Sequence, residues 1–211
     1  AHASHRSSDS SPPLIQSMSA SPDSPKHWVD PAALPNYGDA STIAGNAPDY
    51  VKQLNYNTYI AYGVGDPDCF GHSVGKSVNF VEVNINRKHE RNGRLEATTV
   101  AELKVTRHML NGAKMLHGGC LAYVVDNCCS TPLVVLGLIQ NVNGVGVTQS
   151  MNVLFHSPAP LGTILRIVSS SVSLGGRVMS SRCEVLDKES GRIVASAFLN
   201  KMQPAVISSK L

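Results

Sequence analysis

Val81, Val83 and Ile85 alternate with Glu82, Asn84 and Asn86, and beyond a charged loop Leu95, Ala97, Thr99, Ala101, Leu103 and Val105 alternate with mostly polar partners. A period of two places each set on its own face of an extended chain, so both stretches are expected to be half-buried strands. Between them Asn92-Gly93 supplies residues that accept positive φ, and the pair reads as a hairpin. From Gly118 to about Leu136 the period changes. Leu121, Val125, Cys128, Pro132 and Val135 recur at spacings of three and four, the stripe of a helix lying on a sheet. Nineteen residues at 1.5 Å each span roughly 28 Å, which makes this the one long helix expected. Pro132 lacks an amide hydrogen and is expected to kink or shorten it. Strand periodicity then returns near 145–155, 164–174, 177–187 and 192–202, with turn chemistry in "SPAPLG", "LGG" and "DKESG".

Two strands, one long helix and four strands describe an α+β fold: an antiparallel sheet of about six strands with a single helix against one face. Upstream, Val51, Leu54, Thr58 and Tyr62 recur at helical spacing, so 48–62 is expected to be a short helix capped by Asn46 or Asp49. Residues 1–26 are about half Ser and Pro, and Gly, Pro, Ala and Asn stay common to about residue 47. Such a segment buries too little apolar surface to offset its ordering entropy. The organisation expected is a Ser/Pro-rich arm over 1–47, either flexible or strapped onto the domain, one domain over 48–203 and a tail over 204–211. A mitochondrial presequence is a poor match for the arm, whose first 26 residues hold only Arg6 and Lys26 as basic side chains.

Composition narrows the function classes. Hydrophobic residues make up 42% of the chain and charged residues 16%, a globular balance, and no apolar run is read as approaching the roughly 18 residues of a membrane span. The net charge of +3 is spread thinly, without a Lys/Arg block, so the footprint of a nucleic-acid binder is missing while a small anionic ligand would be suited. Cys69, Cys120, Cys128, Cys129 and Cys183 read as reduced thiols. Adjacent cysteines inside a helix cannot both face one metal, so no metal site is expected.

The chemistry concentrates in "NGAKMLHGGCLAYVVDNCCST", residues 111–131. A second helix face carries Gly119, Ala122, Asp126 and Ser130, small and polar enough for close approach. First-turn N–H groups have no intrahelical acceptor and carry the positive end of the dipole, so a glycine there admits an oxygen acquiring negative charge. That is an oxyanion hole in outline. A hydrolase also needs a base or nucleophile roughly 3 Å from the reacting carbon, yet Asp126 lies about 12 Å along the axis from Gly118. Two helices from two subunits, antiparallel across a two-fold axis, would bring one helix's Gly118 end beside the other's Asp126 and create two sites. The spacing therefore predicts a homodimer.

"NGAKMLHGGCLAYVVD" resembles the Asn-x5-His-Gly-Gly-x6-Asp pattern of PaaI-like hotdog-fold acyl-CoA thioesterases, and "GVTQSMNVLFHSPAPLG" is similar to the strand and turn that follow the helix in that family. The resemblance spans about residues 76–203. It implies a hotdog fold and hydrolysis of acyl-CoA to a carboxylic acid and coenzyme A. It also implies that the Gly118 N–H and the Asn111 side chain polarise the thioester carbonyl, that the partner subunit's Asp126 acts as general base or nucleophile, and that His117 helps shape the pocket. Thr148 falls where related enzymes carry a serine that positions the water. Dimers of dimers are common in the family, so a tetramer is expected. A thiolate leaves well, so one carboxylate plus polarisation suffices, and no cofactor is expected beyond the coenzyme A of the substrate. Gly119 is expected to lie against substrate, and Arg177, after "LGG", to meet a coenzyme A phosphate.

Three other readings compete with this one. "GHSVG", residues 71–75, fits the nucleophile elbow of serine hydrolases with Ser73 as nucleophile, but that motif needs a strand before it and a helix after it, and neither is expected here. A hydratase of the same fold would pair Asp126 with a His a few residues on, and the helix has none. A non-catalytic acyl-CoA-binding protein would keep fold and pocket without turnover. Finally, Ser209-Lys210-Leu211 is a tripeptide read by the peroxisomal import receptor at a free C-terminus. A peroxisomal location and a fatty acyl group are the matching expectations, with cytoplasm or mitochondrion as the alternatives.

Overall fold

In the computed structural model, which describes residues 29–203, the alternating segments pair into one antiparallel sheet. Its strands are β1 (Asn79–Lys88), β2 (Arg94–Lys104), β3 (Val147–Phe155), β4 (Ile164–Leu174), β5 (Val178–Asp187) and β6 (Ile193–Met202), in the order β1-β2-β4-β5-β6-β3. The β1–β2 hairpin closes through Asn92 (φ 52°) and Gly93 (φ 73°), the pair its sequence singled out. The first 28 residues of the arm and the tail from 204, with Ser209, Lys210 and Leu211, lie outside the described residues.

The long helix α3 (Gly118–Gln140) packs against the sheet, chiefly on β4, β2 and β5. Its stripe of Leu121, Val125, Cys128, Pro132 and Val135 is buried, against inward side chains such as Val83, Ala97, Leu165, Ile167, Val185 and Leu199. Burying each large aliphatic of this set contributes roughly 1.5–3 kcal/mol, which makes the helix–sheet seam the main source of stability. Contrary to the expectation from the run lengths, α3 is long and apolar enough by length and composition to cross a bilayer, with a mean hydropathy of 1.5. Most of that apolar surface, 61% of the window, is instead covered by the sheet and its neighbours.

Pro132 neither ends nor shortens α3, which runs on to Gln140 and stops at Asn141 in the left-handed region (φ 55°). The reason is local. The carbonyl of Cys128, which Pro132 cannot reach for want of an N–H, accepts instead from the Thr131 hydroxyl at 2.7 Å. Thr131 in turn meets the Thr99 hydroxyl at 2.7 Å, tying the helix to β2. Thr131→Val keeps the shape but strands the buried Cys128 carbonyl and the Thr99 hydroxyl. We expect it to lower unfolding free energy by about 1–3 kcal/mol, read as a drop in Tm.

Of the two forms expected for the arm, residues 30–47 take the strapped-on one and not the flexible one: Ala40, Ile43 and Ala47 are buried, and Ala44 adds a parallel bridge to the outer edge of β1. Its N–H donates to the Val81 carbonyl at 3.0 Å, and its carbonyl accepts from Val83 at 2.9 Å. Pairing with an edge strand satisfies backbone groups whatever the side chains are, so composition does not reveal it. Helix α1 (Asp49–Tyr59) forms as expected but begins at Pro48 without a side-chain cap. Asn46 is spent elsewhere, donating to the Ile85 carbonyl at 3.0 Å and accepting from the Ile85 N–H at 2.7 Å. A π-type turn (Ile60–Val64) follows, and then the four-residue α2 (His72–Gly75). α1 packs across α3, which sets Asn55, Thr58 and Tyr62 over the middle of the long helix.

Candidate active site

The entry to α3 is built around two side chains. Asn111 folds its loop: its Oδ1 accepts from the N–H groups of Ala113 (2.9 Å) and Met115 (3.1 Å), which leaves the amide nitrogen as the end available to a ligand. His117 is the N-cap, with Nδ1 accepting from the Gly119 N–H at 2.9 Å. This assigns the neutral ring with its hydrogen on Nε2. Of the two glycines, Gly119 therefore has its donor engaged by the cap, while Gly118 keeps a first-turn N–H with no intrahelical acceptor. A Cβ added at Gly118 would sit 3.5 Å from the Phe155 ring, an ordinary contact. The subunit's own packing therefore leaves room for a Cβ at this position. Asn111, Gly118, Phe155 and His156 share a cavity of about 430 Å³.

Asp126 opens into a different cavity, of about 250 Å³. Its Oδ1 accepts from Thr148 Oγ1 at 2.6 Å, a short charge-assisted bond that holds the carboxylate in one orientation. The pairing of β3 with β6 shifts register between Thr148 and Ser150, and this bulge at the strand's start aims the Thr148 hydroxyl at the helix. Gly146 keeps the adjoining wall thin, since a Cβ there would lie 2.7 Å from both Met179 and the Met202 carbonyl. The expectation that no single helix serves both ends of one site agrees with this arrangement: Asn111, His117 and Gly118 gather at the helix start, and Asp126 and Thr148 gather two turns on.

Lys201 was missed by the sequence reading. It faces Thr148 directly across the β3–β6 pairing, is 8% exposed, and donates to Ser130 Oγ at 2.8 Å. Ser130 passes its own hydrogen to the Asp126 backbone carbonyl at 2.7 Å. Burial pushes the Lys201 ammonium below the ordinary lysine value, and the negative charge of Asp126 acts against that shift. The signal was present: Ala195, Ala197, Leu199 and Lys201 are the inward set of β6 by strict alternation. Asn55, also missed, stands on the buried face of α1 between Val51 and Thr58, and its Oδ1 has no partner among the described residues.

Other expected residues fall away from these cavities. Arg177 is exposed at the β4–β5 turn, where its carbonyl accepts from Gln203 and Gln203 in turn reaches the Asn143 carbonyl beyond the end of α3. Within one subunit it sits at the end of the helix remote from Gly118. Ser73 is exposed on α2, which follows a turn and not a strand, so the elbow geometry is absent as anticipated. Cys128, Cys129 and Cys183 are buried, Cys69 and Cys120 half-buried, and all five are unpaired thiols. Among the described residues no group of three or more His, Cys, Asp or Glu side chains is gathered for a metal ion.

Comparison with known proteins agrees with this geometry. Residues 113–194 match the family model described as thioesterase superfamily, a stretch that holds Gly118, Asp126 and Thr148. The chain is 29% identical over 96 residues to acyl-coenzyme A thioesterase 13 of Homo sapiens and of Pongo abelii; the match covers 46% of this chain and 66% of each relative's length. Among solved structures, zebra fish thioesterase superfamily member 2 superimposes with a TM-score of 0.57 at 20% identity, covering 69% of this chain and 94% of that one. Thioesterase superfamily member 2 from Mus musculus gives 0.55 at 21% identity, covering 71% and 95%. A hypothetical thioesterase protein from Streptococcus pneumoniae, solved with coenzyme A, gives 0.51 at 20% identity, covering 63% and 90%. The six-stranded antiparallel sheet on one long helix gives this chain the hotdog fold of those solved structures, and over residues 113–194 its sequence is similar to the thioesterase superfamily.

Proposed function

We propose that the protein hydrolyses acyl-CoA thioesters at sites shared between two subunits. The observation that carries the reading is the division of labour along α3: donors at its start in one cavity, a fixed carboxylate two turns on in another. The thioester oxygen rests on the Gly118 N–H and the Asn111 amide nitrogen, which stabilise the charge it gains. As a base, the partner subunit's Asp126 takes a proton from water while the water oxygen adds to the carbonyl carbon; the C–S bond then breaks, the coenzyme A thiolate leaves and takes up that proton, and the acid is freed. As a nucleophile, its carboxylate oxygen adds to the carbon, the C–S bond breaks to release the thiolate and leave an anhydride with Asp126, and water then cleaves the anhydride to the acid and the free carboxylate, its remaining proton passing to the thiolate. His117 acts through the Gly119 N–H, fixing the helix start so that the Gly118 donor points outward.

Acyl-CoA is the substrate class because the curated relatives carry that name and the Streptococcus pneumoniae neighbour was solved with coenzyme A. The test is release of free thiol from a panel of acyl-CoA substrates by the purified chain. Thiol release that depends on Asp126 upholds the reading. Tight binding of acyl-CoA without release would replace it with the binding-protein reading. Thr148 supplies a finer check. Losing a hydrogen bond to a charged group costs about 1.5–3 kcal/mol, so Thr148→Val is expected to lower kcat roughly tenfold to 100-fold. Thr148→Ser, which keeps the hydroxyl, is expected to stay near wild type in the same assay.

A further inference from the structure

The Asp126 cavity is not the apolar slot that a plain hydrocarbon chain would ask for. Val134, Val145 and Val147 line part of it, but across from them stand Lys201 and Asn55. Both are withdrawn from solvent, at 8% and 2% exposure. The Lys201 ammonium has three hydrogens to give. One goes to Ser130 Oγ, the Tyr62 ring lies 6.0 Å away, and no carboxylate among the described residues comes within salt-bridge distance of it. Asn55 Oδ1 is buried without a partner, and its amide can be turned to offer either the oxygen or the nitrogen. A buried ammonium with hydrogens to spare and a buried amide oxygen without a partner among the described residues are costly, and a site retains such groups where a ligand satisfies them.

Thr148, which holds Asp126, and Lys201 are directly opposed across β3 and β6, so their Cβ atoms lie roughly 5 Å apart on the same face. An acyl carbon presented to Asp126 therefore has the ammonium within a few bonds along the chain. Lys201 can only donate, so whatever it meets must accept.

Resting on the thioesterase reading, we propose that the acyl group of the substrate carries an oxygen acceptor a few bonds from the thioester, bound by Lys201 with Asn55 beside it. Hydroxyl, oxo and carboxylate substituents share that chemistry. Lys201 is then a specificity-determining residue. A cavity of about 250 Å³ suits a short acyl group of this kind.

The test compares butanoyl-CoA with 3-hydroxybutanoyl-, 3-oxobutanoyl- and 4-carboxybutanoyl-CoA in the wild type, Lys201→Met, Lys201→Arg and Asn55→Leu. Sites built to hydrogen-bond a substrate group reject the analogue without it far more strongly than sites that sense one methylene. The wild type is therefore expected to favour at least one oxygenated substrate by about 100-fold or more in kcat/KM. The three oxygenated arms name the source: preference for the carboxylate alone points to dicarboxylic acyl groups, preference for the neutral arms to hydroxy or oxo acyl groups. Lys201→Met should bring the ratio close to one, Asn55→Leu should reduce it, and Lys201→Arg should keep part of it. Melting curves for each variant guard against misfolding, which would depress all four substrates together and leave the ratio standing.

The same ratio, read as Kd by calorimetry in Asp126→Asn, does not depend on turnover. Equal treatment of butanoyl-CoA and the oxygenated set by the wild type, or a ratio untouched by Lys201→Met, means the cavity holds only water and overturns the proposal. If thiol release still depends on Asp126 in that case, the thioesterase reading stands without it. If no substrate is cleaved and the calorimetric ratio is nevertheless large and Lys201-dependent, the specificity survives in a binding protein.

Discussion

Asp126→Asn is expected to lower acyl-CoA turnover by about 100-fold to 10,000-fold, the range lost when a positioned base or nucleophile is removed. Asparagine is the informative choice because it changes charge and almost nothing else. Its carbonyl oxygen can still accept from Thr148, as the carboxylate does at 2.6 Å, and the backbone link from Ser130 to residue 126 is untouched. The variant should therefore fold, with Tm near the wild-type value, and bind acyl-CoA while failing to cleave it. Ser73→Ala, assayed beside it, is expected to be indistinguishable from wild type, since Ser73 is exposed on a short helix far from elbow geometry. The opposite pattern, with Asp126→Asn active and Ser73→Ala dead, would remove Asp126 from the chemistry and revive the serine-hydrolase reading.

The second large effect is a rescue. Gly118→Val places bulk where the proposed mechanism brings the thioester oxygen. Because a Cβ at 118 meets only an ordinary contact with Phe155, the fold should tolerate the change while activity is lost. Alone, Gly118→Val and Asp126→Asn chains should both be inactive. Co-expressed with different tags, they form mixed dimers in which one site carries both lesions and the other carries neither. Purified mixed dimers are expected to regain about half of wild-type activity, and an unsorted random mixture about one quarter. No recovery in purified mixed dimers would place both halves of the site in the same subunit, and the division of α3 between two sites would be wrong. Only the shared site predicts two dead proteins making a live one.

Much of this molecule is local in origin. Alternation identified β1, β2 and the four later strands to within two residues at each end where it was specified, and the Asn92-Gly93 turn was chosen by chemistry that no tertiary contact alters. The stripe on α3 was equally legible, and so was the distance between Gly118 and Asp126, because rise per residue is a property of the helix alone. Where the reading stopped short, the missing information was non-local. Pro132 is tolerated because Thr131 supplies the hydrogen that proline lacks and Thr99 on β2 anchors Thr131. Residues 30–47 are held by backbone pairing to β1, more than thirty residues away, which their composition does not record.

The site divides in the same way. Gly118 and Asp126 could be named from their spacing along one helix, whereas Asn111 and His117 were named only by the family resemblance. The inward direction of Lys201 was likewise written in the alternation of β6. Its partners were not. The choice of β6 as the neighbour of β3 sets Thr148 across from Lys201, and the bulge after Thr148 turns that hydroxyl onto Asp126. Strand order and register are agreed between segments some fifty residues apart, through the burial of whole faces, and no short stretch specifies them. Residue order alone sets how far apart one helix must hold Gly118 and Asp126, because rise per residue is local. That the carboxylate shares its cavity with a buried ammonium and an amide oxygen unpartnered among the described residues follows only from folding, because the packing of α1, β3 and β6 around α3 closes that cavity.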